Sequence, residues 1–369
     1  MSGCHTAVVE GRVLSEGSVG DAGPGSGNVE GTPRGQVRAD RFPEVFRMKR
    51  VMTLAPIILC LCCVSCGFSS NYDSVLGPVF SGQYSEGPPD FSGAIKVVSY
   101  NISYAEHIDL AIQELGEFED ADVILLQEMD EAGTELVAKS LKYDYVYYPA
   151  SIHPRHGKNF GNAILSKWPI RDPGKIILPH TNPLTGQMRI AVRALIAIDE
   201  IDVLTYSVHT ETPWLSARKR NDQYHTLLES VGADHEHVIV GGDFNTFTLQ
   251  SIEELEGRFG RAGLQRASRG TGATARYAVV GFTLDHVFTR GMTAIGAGTL
   301  TEARASDHLP IWVELVPDPG QSVGHLAPPV ALQLTPSGAD LRHHSQAAQA
   351  TAGLERRSWG GRLLWEILR

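Results

Sequence analysis

Ten short runs rich in β-branched and aromatic residues, each bounded by turn formers, succeed one another between Ala94 and Val316: IKVVSYNI, DVILLQEM, YVYYPA, GNAILSKWPI, GKIILP, RIAVRALIAID, IDVLTYSVHTE, VIVGGDFN, LDHVFTRG and HLPIWVEL. Runs of this length and composition form strands, and those that are apolar at both parities are buried on both faces of a sheet. Helical spacing appears between some of them. AEHIDLAIQELGEF is one case, and SARKRNDQYHTLLESVG is another, with Tyr224, Leu227, Leu228 and Val231 at i, i+3, i+4 and i+7. That stripe is most simply core packing. Strands interrupted by helices predict a sheet-dominated α/β domain.

All five cysteines, at 4, 60, 62, 63 and 66, precede this domain, so it contains no internal disulfide. Four of them lie in MKRVMTLAPIILCLCCVSCGFSS, a basic start followed by a short apolar run and small residues before a cysteine. This reads as an export signal, the apolar stretch being short for a membrane span. The segment resembles a bacterial lipoprotein signal over 48–66, which implies lipidation of Cys66, although Cys63 stands where that motif usually has Leu. A short uncleaved anchor is the alternative. Residues 1–47 show no periodicity and are expected to be a disordered or non-native stretch upstream of Met48. The Gly/Ser/Pro-rich segment 67–92 reads as a flexible tether, 93–316 as the folded domain, and 317–369 as a disordered low-complexity tail ending in a short amphipathic stretch. A net charge of -10 excludes a general polyanion binder, so a phosphate-bearing ligand needs a local cation.

The buried run VIVGGDFNT ends on Asp243 and Asn245 after two glycines. Alone, this is a turn, because Asp and Asn side chains close on nearby backbone groups; the glycines would also let a substrate approach the backbone. The break recurs, however. Asn101 ends VVSYN, Gln127 and Glu128 end VILLQE, His209 ends LTYSVH, Asp285 lies in LDHVF, and Asp307 and His308 immediately precede the last strand. Any one of these reads as a solvated strand end or a satisfied core histidine. Together they place acids, amides and histidines around one pocket at a sheet edge. Several carboxylates with amides form the donor inventory of a hard cation such as Mg²⁺, and the lack of clustered Cys and His pairs argues against structural zinc.

The pieces SYNI, LLQE, GNAILSKWPI, VHTE, GGDFN, LDHVF and SDHLPI, in that order, resemble the endonuclease/exonuclease/phosphatase superfamily. This superfamily includes pancreatic-type deoxyribonucleases, abasic-site endonucleases, neutral sphingomyelinases and inositol polyphosphate 5-phosphatases. The resemblance implies a four-layer α/β/β/α sandwich, two mixed sheets packed face to face with outer helices, and a metal site at one sheet edge. It implies Glu128 as the principal Mg²⁺ ligand, Mn²⁺ being an alternative ion, with Asn101 beside it and Asp307 as a further metal-side carboxylate. His308, oriented by Asp285, resembles the general base or phosphate contact, and His209 the second histidine. Asp243 would align the attacking water and Asn245 would hold the pentacovalent phosphate. Asn162 would support the site from behind, and Arg155 and Lys158 in HPRHGKN would form a substrate loop. Thr283 departs from the family's frequent Arg, and Ser103 from the acidic residue of abasic-site endonucleases.

The activity implied is metal-dependent hydrolysis of a phosphodiester, nuclease-like in the first instance. The expected partners are a nucleic acid or phospholipid headgroup and a membrane reached through Cys66, for a monomer in the cell envelope. A phospholipid or sphingomyelin phosphodiesterase, or a phosphatase of the same fold, is the alternative enzyme, the lipid case requiring an exposed apolar lip. A surface-anchored binding protein that lost catalysis is the alternative outside enzymes.

Overall fold

The computed structural model describes residues 70–319, except 155, 214, 278 and 279. The upstream stretch 1–47, the signal segment 48–66 with Cys66, the tail beyond 319 and Arg155 therefore lie outside the described residues.

In chain order the strands are β1 (Ser70–Asn71), β2 (Phe80–Gly82), β3 (Ile95–Asn101), β4 (Val123–Met129), β5 (Asp144–Ile152), β6 (Asn159–Ser166), β7 (Ile170–Ile177) and β8 (Ile190–Ile198). They continue as β9 (Ile201–His209), β10 (His237–Asp243), β11 (Gln265–Arg266), β12 (Ala275–Tyr277), β13 (Val280–Phe282), β14 (Asp285–Arg290), β15 (Met292–Thr299) and β16 (Ile311–Pro317). Helices α1 (Ile108–Gly116), α2 (Glu131–Leu141), α3 (Ala217–Val231) and α4 (Leu249–Arg261) lie between them. The first sheet runs β1-β5-β6-β4-β3-β16-β15, with β2 also on β5, and the second runs β11-β14-β10-β9-β8-β7. β12 and β13 form a small ribbon. The pairs β3–β4 and β9–β10 are parallel and the other large-sheet pairs antiparallel, so both sheets are mixed.

Strand periodicity divides the apolar residues into three cores. Val97, Leu125 and Ile164 of the first sheet meet Val192, Ile239 and Val287 of the second between the sheets. On the outer face of the first sheet, Val98, Tyr100, Ile124 and Leu126 pack with Ala111 and Leu115 of α1 and Val137 of α2. On the outer face of the second, Tyr206, Val208 and Val240 pack with Tyr224 and Leu227 of α3 and Phe259 of α4. The result is the expected four-layer α/β/β/α sandwich. The stripe on α3 is core packing as expected, with Tyr224, Leu227 and Val231 buried and Leu228 partly so.

The segment expected to be a tether is, from Ser70 onward, part of the first sheet. Ser70 and Asn71 pair with Ile152 and Ser151, and Phe80–Gly82 pair with Tyr147–Tyr145. Lys175 Nζ donates to the carbonyls of Tyr72 and Gly77 at 2.9 and 3.2 Å. Gly, Ser and Pro are compatible with such short edge strands, which is why composition alone reads them as linker.

The two glycines of GGDFN serve packing rather than substrate approach. A Cβ on Gly241 would stand 2.5 Å from Leu125 Cδ1 across the sheets, and one on Gly242 would stand 1.9 Å from the Val208 carbonyl of the neighbouring strand. Gly242 also has φ +144°, a region that side chains rarely adopt. Gly242→Ala is expected to cost about 2–3 kcal/mol through overpacking and backbone strain, lowering Tm by about 5–10 °C. An unchanged Tm in a thermal melt would show that β9 and β10 can separate without penalty.

Candidate active site

Three strand ends of the second sheet lie side by side. Asp243 is the register partner of both His209 and Asp285, so these residues form one row across β9, β10 and β14. Their positions have the parity of Val203, Ile239 and Val287, which face the first sheet. Opposite, Asn101 and Gln127 are register partners at the ends of β3 and β4. An extra residue in β4 shifts its register against β6 between Leu126 and Met129, and Glu128 has φ +59° there. Such a bulge re-aims a side chain and is costly for a non-glycine residue, a form of strain common at functional sites. It brings Glu128 to the cavity that Asp243, Asp307, His209 and His308 also line.

One amide joins the two sheets at this edge. Asn101 Nδ2 donates to Asp243 Oδ2 at 3.1 Å and to Glu128 Oε1 at 3.3 Å, while its oxygen accepts from Ser103 N at 3.1 Å. Asn101 thus meets both carboxylates through its nitrogen. His209 Nε2 lies 3.7 Å from Glu128 Oε1 and 3.5 Å from Asp243 Oδ2, and His308 Nε2 lies 3.8 Å from Asp243 Oδ2. On its other side His308 Nδ1 is 2.9 Å from Asp285 Oδ2, which also accepts from Thr274 Oγ1 at 2.6 Å. Thr274 Oγ1 in turn accepts from the Leu284 and Asp285 amides, clamping Asp285 to the strand start.

Burial and charge drive the titratable groups apart. Burial raises the Glu128 carboxyl, opposed by Arg189. Burial likewise pushes Asp243 up to about 7, against the pull of His308. Burial opposes the charge on His308, but the Asp285 and Asp243 carboxylates hold it well above the ordinary histidine value. His209 is depressed, first by burial and then by the positive charges of Arg189 and His308. The site therefore holds one cationic and one neutral histidine, the separation that assigns acid and base work.

The donors fit a divalent cation. Glu128, Asp243 and Asp307, with Glu106, line one cavity, and burial raises the carboxyls of Glu128 and Asp243. Asp243, Asp285 and His308, all buried, also offer ligand-type atoms within 4.8 Å of one another. The His308–Asp285 hydrogen bond already occupies one side of that group, which leaves the Glu128 side more open to an ion. Oxygen donors of this kind suit hard divalent ions.

Asn245 adopts φ +51°, which Asn tolerates. Its amide N–H donates to Asp243 Oδ1 at 2.8 Å, and its Nδ2 donates to the Thr210 carbonyl at 3.0 Å and to Asp243 Oδ2 at 3.3 Å. The turn and the pocket are thus made by the same pair of residues. Two residues expected at or near the substrate, Asn162 and Lys158, are not brought to the cavity. Asn162 is 1% exposed and spends its Nδ2 on the carbonyls of Ile190 and Ser207, both at 3.1 Å, as a strut between the sheets. Its support role fits that position; substrate contact does not. Lys158 pairs with Asp130, the N-cap of α2, at 3.0 Å and is not among the cavity-lining residues. Arg155 lies outside the described residues.

Asn182, Gln187 and Arg189 complete a wall that the strand-end pattern missed. β8 runs antiparallel to β9, so the amino end of RIAVRALIAID arrives at the edge where β9 ends. A polar residue at the start of an antiparallel strand was the available signal. Two aromatic pairs also line the cavity, Tyr104 with His153 (4.5 Å between ring centroids) and Phe247 with Tyr277 (5.9 Å).

Relatives agree with this architecture. The chain is 30% identical over 134 residues to a UPF0294 protein of Yersinia pestis and 31% identical over 135 residues to one of Yersinia enterocolitica. Each match covers 35% of this chain and 50% of the relative, so the chain spans about half the length of the curated relatives it matches. The fold is similar to that of an endonuclease/exonuclease/phosphatase family protein from Leptotrichia buccalis, with a TM-score of 0.51 at 18% identity, covering 59% of this chain and 98% of that one. A Bacteroides vulgatus endonuclease/exonuclease/phosphatase gives a TM-score of 0.51 at 15% identity, covering 61% and 99%. A model of the Endonuclease/Exonuclease/phosphatase family matches residues 98–308, more than half of the chain and the stretch that carries Asn101, Glu128, His209, Asp243, Asp285, Asp307 and His308. The chain belongs to the Endonuclease/Exonuclease/phosphatase family, whose members are phosphoric ester hydrolases that generally depend on a divalent metal.

Proposed function

We propose that the protein hydrolyses phosphodiesters by metal-assisted attack of water, in a nuclease-like reaction that uses Mg²⁺ or, in its place, Mn²⁺. The observation that carries this reading is the meeting of the His209–Asp243–Asp285 row with Asn101 and Glu128 of the facing sheet, where His209, Asp243 and Glu128 line one cavity. Glu128 and Asp307 would hold the ion, and Asn101 fixes the spacing of Glu128 and Asp243. An ion held there would supply neutralisation of phosphoryl charge and a lower pKa for water. Asp243, with its carboxyl raised to near neutrality, is matched to accept the proton of the attacking water. His308, cationic and held by Asp285, donates from Nε2 to a phosphoryl oxygen. His209, neutral, offers its N–H toward the leaving oxygen, and Asn245 steadies Asp243 and the phosphate beside it.

The aromatic rings of Phe247 and Tyr277 that line the cavity support a nucleic acid, since every base presents a face to stack on. A second observation favours a lipid phosphodiester: Leu249 (80% exposed) and Val280 (46% exposed) are exposed apolar residues two positions in sequence from Phe247 and Phe282, which pack together, and Phe247 lines the cavity. Incubating the full chain and Mg²⁺ with plasmid DNA, RNA, sphingomyelin, phosphatidylinositol and bis-p-nitrophenyl phosphate separates these readings. Cleavage of DNA or RNA is expected. Cleavage confined to the lipids selects the second reading, and silence across the panel from folded protein selects a binding protein.

We further propose export and tethering through Cys66, on the strength of the basic, apolar and small-residue order of 48–66. No helix among the described residues is long and apolar enough to cross a membrane. Expression in bacteria with labelled palmitate is expected to label the protein, and Cys66→Ala to lose the label. Equal labelling of the variant overturns the assignment.

A further inference from the structure

The 182–189 wall of the cavity contains donors that the reaction described above does not use. Gln187 and Arg189, two positions apart in the lead into β8, are 5% and 6% exposed, and both line the cavity. Gln187 Nε2 and Arg189 Nη1 have no hydrogen-bond partner among the described residues. Arg189 is otherwise firmly placed. Its Nε donates to Glu211 Oε2 at 3.3 Å, and its guanidinium lies 5.2 Å over the Phe160 ring, whose centroid is 5.8 Å from that of His209. One aromatic ring therefore spaces the guanidinium from the histidine of the site. Glu211 is fixed in its turn by Asn182 Nδ2 and by the Thr212 amide and hydroxyl, all at 2.9 Å.

Neutralising Glu211 accounts for Arg189 Nε but leaves Nη1 and Gln187 Nε2 without a role. Buried donors are normally satisfied, so two unsatisfied ones on the same wall mark a place where a ligand's acceptors belong. The charge balance identifies the ligand. Among the described residues lining the cavity, Arg189 is the single Lys or Arg, against the carboxylates of Glu106, Glu128, Asp243 and Asp307. A guanidinium offers a planar fork that matches the oxygens of a phosphoryl group.

We propose that Arg189 and Gln187 form the anion subsite of this cavity, their free N–H groups receiving the non-bridging oxygens of the substrate's phosphate. The proposal rests on the hydrolase reading and names what holds the substrate's charge in a cavity also lined by carboxylates. No bond is made or broken at this subsite; it positions the phosphate between the 182–189 wall and the carboxylates.

Calorimetric titration of inorganic phosphate into the full chain with Mg²⁺ tests it. Arg189→Gln is expected to weaken phosphate binding by about 10–100-fold, the scale of a charge-assisted hydrogen bond, and to raise KM for a cleaved ester more than it lowers kcat. Arg189→Lys should recover part of the affinity, because it restores the charge without the fork. Gln187→Met keeps the shape without the donor and should weaken binding by about 3–10-fold. The double variant Arg189→Gln/Glu211→Gln removes the charge Arg189 neutralises, which guards against a folding defect, and should bind phosphate as weakly as Arg189→Gln. If the double variant folds and binds phosphate as the unmodified protein does, Arg189 only balances Glu211 and the proposal is wrong. No measurable phosphate binding by the unmodified protein also overturns it. Arg189-dependent phosphate binding without hydrolysis of any ester would leave the subsite standing and remove the hydrolase reading; hydrolysis with KM and phosphate affinity unmoved in Arg189→Gln would do the reverse.

Discussion

Asp243→Asn is expected to lower turnover by at least ~10²-fold, the usual scale for losing one acid–base group, while shifting Tm by only a few degrees. The substitution keeps an oxygen for the Asn245 amide, so the turn after β10 survives. It places a new NH₂ where Asn101 and Asn245 already point theirs, a mismatch of about 1–3 kcal/mol. Removing a carboxylate that burial already disfavours offsets part of that cost. Stability and activity should therefore separate, with melting followed by circular dichroism and turnover on whichever ester the panel identifies. A variant that keeps its activity would remove Asp243 from the reaction. One that loses fold and activity together would return the residue to the purely structural role of a turn former.

Chelation is expected to abolish turnover, and Glu128→Gln to raise the Mg²⁺ concentration for half-maximal activity by at least ~10-fold, because an amide is a weaker hard-cation ligand than a carboxylate. The same metal should act on stability in a pH-dependent way. Burial raises both Glu128 and Asp243, so the metal-free protein is favoured below the unfolded carboxyl value of about 4 and loses that contribution as pH rises through the folded value, about 7 for Asp243. An ion binds the ionised forms and restores the loss where they predominate. At a hundred times its Kd it contributes about 2.7 kcal/mol, or about 5–10 °C in a domain of this size. The Mg²⁺-induced rise in Tm should be near that figure at pH 8 and much smaller at pH 5, and Glu128→Gln should flatten the difference. Equal rises at both pH values, or a variant indistinguishable from the unmodified protein, would place the ion elsewhere.

The central strands are legible because burial on both faces leaves room before the strand ends for small hydroxyls such as Ser99, Thr205 and Ser207 but not for charged groups. That is why Asn101, Glu128, His209, Asp243 and Asp285 stand out from VVSYN, VILLQE, LTYSVH, VIVGGD and LDHVF. The helices α2 and α4 were not singled out, since EAGTELVAKSL and LQSIEELEGRFGR carry glycine within the helical stretch and so weaken the pattern. β15, MTAIGAGT, is an edge strand with exposed positions and no long apolar run, so nothing in its composition announces a strand. Arg189 was hidden for a different reason. Its contribution depends on β8 being antiparallel to β9, and pairing direction is a property of topology rather than of the local sequence.

The docking of β1 on β5 changes what a lipid on Cys66 would do. Only residues 67–69 separate that cysteine from Ser70, and three extended residues reach about 10 Å. Asn71 is also tied to the cavity wall: its Nδ2 donates to the Gly186 carbonyl at 2.9 Å, and its oxygen accepts from the Met188 amide at 3.1 Å. A leash this short would moor the enzyme by the flank that carries Gln187 and Arg189. Such an enzyme would sweep a thin shell at the membrane surface instead of sampling the volume that a long flexible arm would give it.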